Sequence, residues 1–162
     1  MIYKSESSKE TQKLAALLAC EISLRRETVG VPTGASGKTR FKNNQAVVLA
    51  LKGNLGSGKT TFTQGFLRGL GVKKKITSPT FVIFKRYKLR AKSFKFVYHI
   101  DCYRIKKSQE LLVLGIKEIF DNPKNIVLIE WPERIKNILP KERINVGFEY
   151  GKKENERRIV IG

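Results

Sequence analysis

Gly53-Asn54-Leu55-Gly56-Ser57-Gly58-Lys59-Thr60 has the spacing G-x-x-x-x-G-K-[ST], and that set of residue types suits one task, holding the phosphates of a nucleoside triphosphate. Glycines let successive backbone N–H groups turn inward onto phosphate oxygens, and the helix that follows adds the positive end of its dipole. Lys59 would reach the β- and γ-phosphates as a point charge, and the Thr60 hydroxyl would ligate Mg²⁺. Thr61 lies directly behind them. An accidental glycine-rich turn would have no reason to sit between a strand and a helix, as this one does.

Phosphoryl transfer also needs an acid that holds Mg²⁺ directly or through water, placed at the end of a neighbouring strand, where ligands gather in open α/β sheets. Glu130 ends the apolar run Ile126 to Ile129, and Asp101 ends a run from Phe94, with His99 on the same face. Either acid alone is equally at home as a salt-bridged strand terminus. Together with the loop they make a site. Ser78-Pro79-Thr80 sets two hydroxyls around a rigid proline, where many such proteins carry a segment that senses the γ-phosphate; an ordinary turn would read the same way. Trp131, next to Glu130, has the ring to stack on a base or a partner, although the single tryptophan of a domain is more often core. His99 is more often a satisfied strand histidine than a base. A second stretch, Gly34-Ala35-Ser36-Gly37-Lys38-Thr39, is a decoy, because Pro32 stands where the first glycine belongs and no strand precedes it.

The elements that must position these residues are legible from periodicity. Lys9 to Leu24 places Leu14, Leu17, Leu18 and Ile22 at helical spacing. Glu27 to Asn44 is basic and rich in Gly, Pro, Ser and Thr, and reads as a flexible loop or a weak hairpin. Ala46 to Leu51 is a continuous apolar run of the kind buried on both faces of a parallel sheet, and it leads into the glycine loop. From Thr60 a helix carries Phe62, Phe66, Leu67 and Leu70 on one side, with Gly71 ending it. Phe81 to Leu89 and Phe94 to Asp101 read as two strands, the second with Phe94, Phe96, Tyr98 and Ile100 on one face. After Ser108 as N-cap, Glu110 to Phe120 is helical with a break at Gly115. Asn125 to Glu130 is a second buried parallel strand, and Arg143 to Tyr150 pairs with Glu156 to Ile161 through the intervening turn. Interleaved helices and strands predict an α/β chain of the P-loop NTPase class: a three-layer α/β/α domain spanning 1–162, its sheet mixed but mainly parallel, with antiparallel edge hairpins.

The 162 residues are one domain's worth and bury a core without staples. Cys20 and Cys102 lie far apart with no metal-ligand spacing, so neither a disulfide framework nor a zinc site is expected, and a reduced, cytoplasmic protein is. No apolar run approaches a membrane span, and the polar start lacks the core of a signal peptide. Thirty-three Lys and Arg against 14 Asp and Glu leave +19. That charge steers a protein toward nucleotides or RNA; the abundance of Lys, Ile and Asn that an AT-rich genome produces would account for it equally well.

With these segments in hand, the sequence resembles the bacterial TsaE family of tRNA threonylcarbamoyladenosine biosynthesis ATPases. The likeness rests on ordered motifs: a first helix with Thr11, then Gly53 to Thr61, Ser78-Pro79-Thr80-Phe81, His99-Ile100-Asp101-Cys102-Tyr103-Arg104, Glu110 to Phe120 with Gly115, and Glu130-Trp131-Pro132-Glu133. The glycine loop alone is widespread, but its combination with S-P-T-F, H-x-D-x-Y-R and E-W-x-E is specific. The resemblance implies a small ATPase that supports modification of the adenosine beside the anticodon, binding and resetting two partner proteins of TsaB and TsaD type without itself transferring the carbamoyl group. It implies ATP phosphates on Gly56, Ser57, Gly58, Lys59, Thr60 and Thr61, and Mg²⁺ on Thr60 and Glu130. It also implies roles in hydrolysis for Asp101 and Thr80, and Thr11 near the adenine. Asn54 replaces the acid usual after the first glycine, and 27–44 is longer and more basic than the family pattern.

Two readings compete. A small-molecule or nucleoside kinase would use the D-x-x-R shape of Asp101 to Arg104 to grip an acceptor hydroxyl, but no lid rich in paired arginines follows. A nucleotide-switched RNA-binding or scaffold module fits the charge, although no aromatic RNA-recognition motif occurs. No N-K-x-D motif that would read guanine is present.

Overall fold

The computed structural model describes residues 1–28, 44–77, 79 and 83–162. Most of the 27–44 segment, the decoy loop, and Ser78, Thr80 and Phe81 therefore lie outside the described residues. The elements in chain order are β1 (Ile2–Ser5), α1 (Ser8–Thr28), β2 (Val47–Gly53), α2 (Lys59–Gly69), β3 (Phe84–Lys88), β4 (Phe96–Asp101), α3 (Gln109–Val113), α4 (Ile116–Phe120) and β5 (Asn125–Glu130). A short 3-10 turn (Pro132–Ile135), β6 (Ile144–Tyr150) and β7 (Arg157–Ile161) follow.

The apolar runs at Val47 and Asn125 become the middle of a seven-stranded sheet of order β1-β7-β6-β2-β5-β4-β3. β6, β2, β5 and β4 run parallel. β3 closes one side antiparallel, and β7 with β1 closes the other. Burial on both faces explains why β2 and β5 are continuously apolar rather than alternating. Val47, Leu49, Leu51, Ile126 and Leu128 face a core formed with α1 and α2. Val48, Val127 and Ile129 face a second core shared with α3, α4 and the 3-10 turn. The sheet is thus the middle of three layers, as the sequence pattern predicts. Among the described residues no helix is long and apolar enough to cross a membrane.

Three local expectations change. Leu17 is 61% exposed, and α1 instead buries Thr11, Ala15, Ala19 and Ile22, with Leu14 and Leu18 partly covered. The cause is close approach to α2: a Cβ on Gly65 would lie 2.3 Å from the Gln12 carbonyl oxygen, and one on Gly69 would lie 2.7 Å from the Ala16 Cα. Helices packed that tightly select small residues at the contact, so a leucine stripe misreports the buried face. Phe94 joins the α1/α2 core rather than the face of Tyr98 and Ile100. The N–H groups of Lys95 and Phe96 both bond to the Lys124 carbonyl (2.7 and 3.3 Å), and that irregularity shifts the side-chain phase by one residue where β4 begins. Ser108 does not cap α3 through its side chain. Its hydroxyl accepts from Asn137 Nδ2 at 2.9 Å, while the Glu110 carboxylate accepts from the Lys106 and Lys107 N–H groups. The edge strand β1, four residues long, has too little pattern to be foreseen.

The α1/α2 contact makes a direct stability test. Gly65→Ala drives a methyl into backbone with no room to yield, and should destabilise the fold by about 1–3 kcal/mol, as overpacking does. Urea denaturation followed by circular dichroism checks this, and an unchanged midpoint would show that the helices separate at no cost.

Candidate active site

The carboxyl ends of β2, β4 and β5 meet at one place. Leu51 and Asp101 both lie opposite Glu130 in the parallel register, so the glycine loop and the two acids come together although some 70 residues separate them. They line an open cleft of about 330 Å³ that includes Gly56, Gly58, Lys59, Thr60, Thr61 and Trp131.

The loop's shape follows from its glycines. Gly56 and Gly58 adopt φ of +75° and +102°, a left-handed region that L side chains rarely enter. Gly53 is needed for space: a Cβ there would lie 2.7 Å from both the Phe148 carbonyl oxygen and Ser57 Oγ. Helix α2 starts directly after Gly58, where the Phe62 N–H bonds to the Gly58 carbonyl at 2.9 Å. The N–H groups of the first turn have no intrahelical acceptors and point outward at the cleft end. Two side chains from the β6–β7 hairpin brace the loop from outside. The Tyr150 hydroxyl donates to the Leu55 carbonyl, and Arg157 Nη2 donates to that of Gly56 at 3.3 Å. The sequence reading missed both braces, because nothing in a strand-end Tyr or a β7 Arg signals a contact 95 or more residues away.

Lys59 is folded back on this loop. Its Nζ donates to the carbonyls of Gly53 and Asn54, each at 2.8 Å, and lies 4.1 Å from the centroid of the Trp131 ring. Burial lowers the ammonium pKa from its ordinary value, and the charges of Glu130, Glu133 and Asp101 offset part of that. Trp131 has φ +59°, is partly buried, and packs on Tyr103 with ring centroids 5.1 Å apart. It packs against the edge of the second core and also covers the lysine.

Thr60 and Glu130 form the second half of the cleft. The Thr60 hydroxyl lies 3.1 Å from both Glu130 carboxylate oxygens. Glu130, 3% exposed, is also held by His99 Nε2 at 2.8 Å. His99 is fully buried, and its Nδ1 has no hydrogen-bond partner among the described residues. With Nε2 as the donor, the imidazole fixes the carboxylate's orientation. Asp101 stands beside this pair and accepts the Tyr103 N–H at 3.0 Å through Oδ1. A hydroxyl and carboxylates facing an open cleft are the hard oxygen donors that Mg²⁺ takes alongside phosphate oxygens. No group of three or more His, Cys, Asp or Glu able to hold a metal occurs among the described residues.

The remaining sequence candidates fall elsewhere. Thr11 does not line the cleft: it is 2% exposed and shares a 2.8 Å hydrogen bond with the Ser5 hydroxyl. Ser57 Oγ is buried and without a partner among the described residues, so its part in the loop falls to the backbone. Thr80 lies outside the described residues. Both cysteines are free, and burial pushes the Cys102 thiol up to about 12, which keeps it unreactive at neutral pH.

Fold and cleft define a three-layer α/β/α protein whose glycine-rich loop, between the central strand and a helix, faces two strand-end acids. Residues 5–159 match the family described as threonylcarbamoyl adenosine biosynthesis protein TsaE, and the chain belongs to that family. Proteins named tRNA threonylcarbamoyladenosine biosynthesis protein TsaE are similar over two thirds of the chain or more. The Bacillus subtilis protein is 42% identical over 114 residues, covering 70% of this chain and 68% of its own. The Haemophilus influenzae protein is 38% identical over 111 residues, 68% of each chain, and that of Rickettsia felis is 35% identical over 156 residues, 96% of this chain and 75% of its own. The crystal structure of Bacillus subtilis YdiB superposes with a TM-score of 0.70 at 28% identity, covering 99% of this chain and 83% of that one.

Proposed function

We propose that this chain is a Mg²⁺-dependent ATPase that supports tRNA threonylcarbamoyladenosine biosynthesis in the cytoplasm by binding and resetting two partner proteins of TsaB and TsaD type. The observation that carries the ATPase reading is the convergence of Lys59, Thr60, Glu130 and Asp101 on one cleft at the carboxyl ends of parallel strands. Backbone N–H groups from Gly56 to Thr61 bind the phosphates. Lys59 leaves the Gly53 and Asn54 carbonyls for the β- and γ-phosphates, exchanging two neutral acceptors for charged ones. Thr60 and Glu130 hold Mg²⁺, which when bound supplies positive charge to the phosphate oxygens. Asp101, directly opposite Glu130 on the adjacent strand, orients the attacking water. His99 keeps the Glu130 carboxylate aimed at Thr60.

The test is ATP hydrolysis by the purified chain, alone and with the two partner proteins from the same organism, with Trp131 fluorescence read in parallel. Trp131 is the only tryptophan, so its emission reports the departure of the Lys59 ammonium from its ring. The expected result is a fluorescence change that saturates with ATP and a turnover that rises with the partners. Hydrolysis indifferent to the partners, or ATP consumed only after a small acceptor is added, would favour a kinase instead.

A further inference from the structure

A groove of about 500 Å³ runs along the outer edge of β3, between that strand with its following turn and the chain leaving α2. It shares no lining residue with the nucleotide cleft. Lys73 and Lys74 line one wall, and Arg86, Lys88 and Arg90 the other. We infer that this groove binds the phosphodiester backbone of RNA.

Charge is the first argument. No Asp or Glu occurs anywhere between Glu27 and Asp101, so the +19 of the chain is not spread evenly but gathers in the segment that builds this groove. Three cations elsewhere have carboxylate partners in ion-pair range: Lys4 with Glu6 and Glu156, Arg25 with Glu21, and Arg158 with Glu149. Among the described residues, no carboxylate lies in ion-pair range of Lys73, Lys74, Lys88 or Arg90, and all four are exposed. Unneutralised cations lining one concave surface repel one another, and a polyanion relieves that repulsion.

Geometry is the second. Arg86 and Lys88 alternate on β3 and Arg90 follows, so like side chains recur about every 6.6–6.8 Å along an extended chain, comparable to the separation of successive phosphates in a polynucleotide. Lysines on an edge strand also discourage strand pairing with other chains, but Lys73 and Lys74 lie on a different segment that has no edge to protect. The apolar residues beneath, Val72, Tyr87 and Leu89, are 6–9% exposed. Half-buried Leu70 and the small, exposed Ala91 are the other apolar side chains of the lining, so the groove has no exposed aromatic anchor on which a protein partner would seat. The choice of RNA among polyanions rests on the tRNA-modification reading above.

The experiment is a salt titration of the binding of an unmodified tRNA transcript, followed by fluorescence anisotropy. The full chain is compared with a groove variant, Lys73→Gln, Lys74→Gln, Lys88→Gln and Arg90→Gln. A control carries Lys9→Gln, Lys13→Gln, Lys141→Gln and Lys152→Gln, which removes the same charge from other exposed positions. If the groove holds phosphates, its variant loses about tenfold or more in affinity at moderate salt, and its log–log salt slope becomes shallower by roughly 0.7–0.9 for each contact removed. The control keeps most of both, and ATP hydrolysis is the same in all three. Equal losses in groove variant and control would overturn the proposal in favour of diffuse charge. So would no tRNA binding by the unaltered chain at low salt, the result expected if the groove serves an acidic protein. Binding that survives while ATP hydrolysis proves absent would sink the ATPase reading and leave the groove standing.

Discussion

Replacing Lys59 with alanine is expected to weaken ATP binding by about 10²-fold or more and to abolish measurable hydrolysis. Charge-assisted contacts to phosphate in a partly dry site are each worth a few kcal/mol when one partner is truncated, and Lys59 would make two. The lysine is nearly buried, 4% exposed, and burial lowers its pKa, so part of its binding contribution comes from regaining a full counter-charge when phosphate arrives. Two loop carbonyls, of Gly53 and Asn54, now satisfied by its ammonium, would turn to water across the open cleft, so the fold itself should hold. Lys59→Arg is not expected to rescue. A planar guanidinium cannot occupy the compact position between two carbonyls and the Trp131 ring, where the lysine places a point charge on a flexible stem. Isothermal titration with ATP, beside a thermal melt, decides the matter. An unchanged affinity in a folded Lys59→Ala protein would mean that the glycine loop is a structural turn.

How much of this was visible in the sequence depended on range. The glycine loop, its strand and its helix are contiguous, and β2 and β5 are buried on both faces, so composition and local periodicity suffice to place Lys59, Thr60 and Glu130. Asp101 was found the same way, as the end of a strand, and its register opposite Glu130 follows from parallel pairing. Features set by distant packing were not legible. Leu17 was assigned to a buried face that belongs to Ala15 and Ala19, because the reading could not know that Gly65 and Gly69 bring α2 within backbone contact of α1. The bond between His99 and Glu130 joins residues on adjacent strands, and the Tyr150 and Arg157 braces come from a hairpin 95 or more residues away in the chain. Trp131 was weighed as core or as a stacking surface. Its position over Lys59 depends on a left-handed backbone at a non-glycine residue, which no residue-type preference signals. Backbone strain at a site residue of this kind persists only where surrounding contacts hold it, and here Tyr103 and Lys59 lie on the ring.

Glu130→Gln should separate binding from hydrolysis more cleanly than any other change in the cleft. Glutamine keeps the size of the side chain and one carbonyl oxygen, so the His99 Nε2 donor retains an acceptor at a position where an unpartnered buried group would cost about 1–3 kcal/mol. The charge is lost, and with it the direct attraction for Mg²⁺ next to Thr60. Hydrolysis is expected to fall by about 10²–10³-fold, the range seen when one preorganised electrostatic group is removed from an active site, while ATP measured without Mg²⁺ binds as tightly as before or slightly tighter, since a negative charge facing the phosphates has gone. Glu130→Ala would show the same kinetic loss together with a lower melting temperature, because it orphans His99 in a fully buried site. Asp101→Asn gives the contrast: Mg²⁺-dependent ATP affinity near that of the unaltered protein, with slow turnover. Steady-state hydrolysis and nucleotide titrations with and without Mg²⁺ distinguish the two acids. Full turnover in Glu130→Gln would reduce Glu130 to a buried hydrogen-bond partner of His99 and move the metal's carboxylate to Asp101, the other acid that lines the cleft.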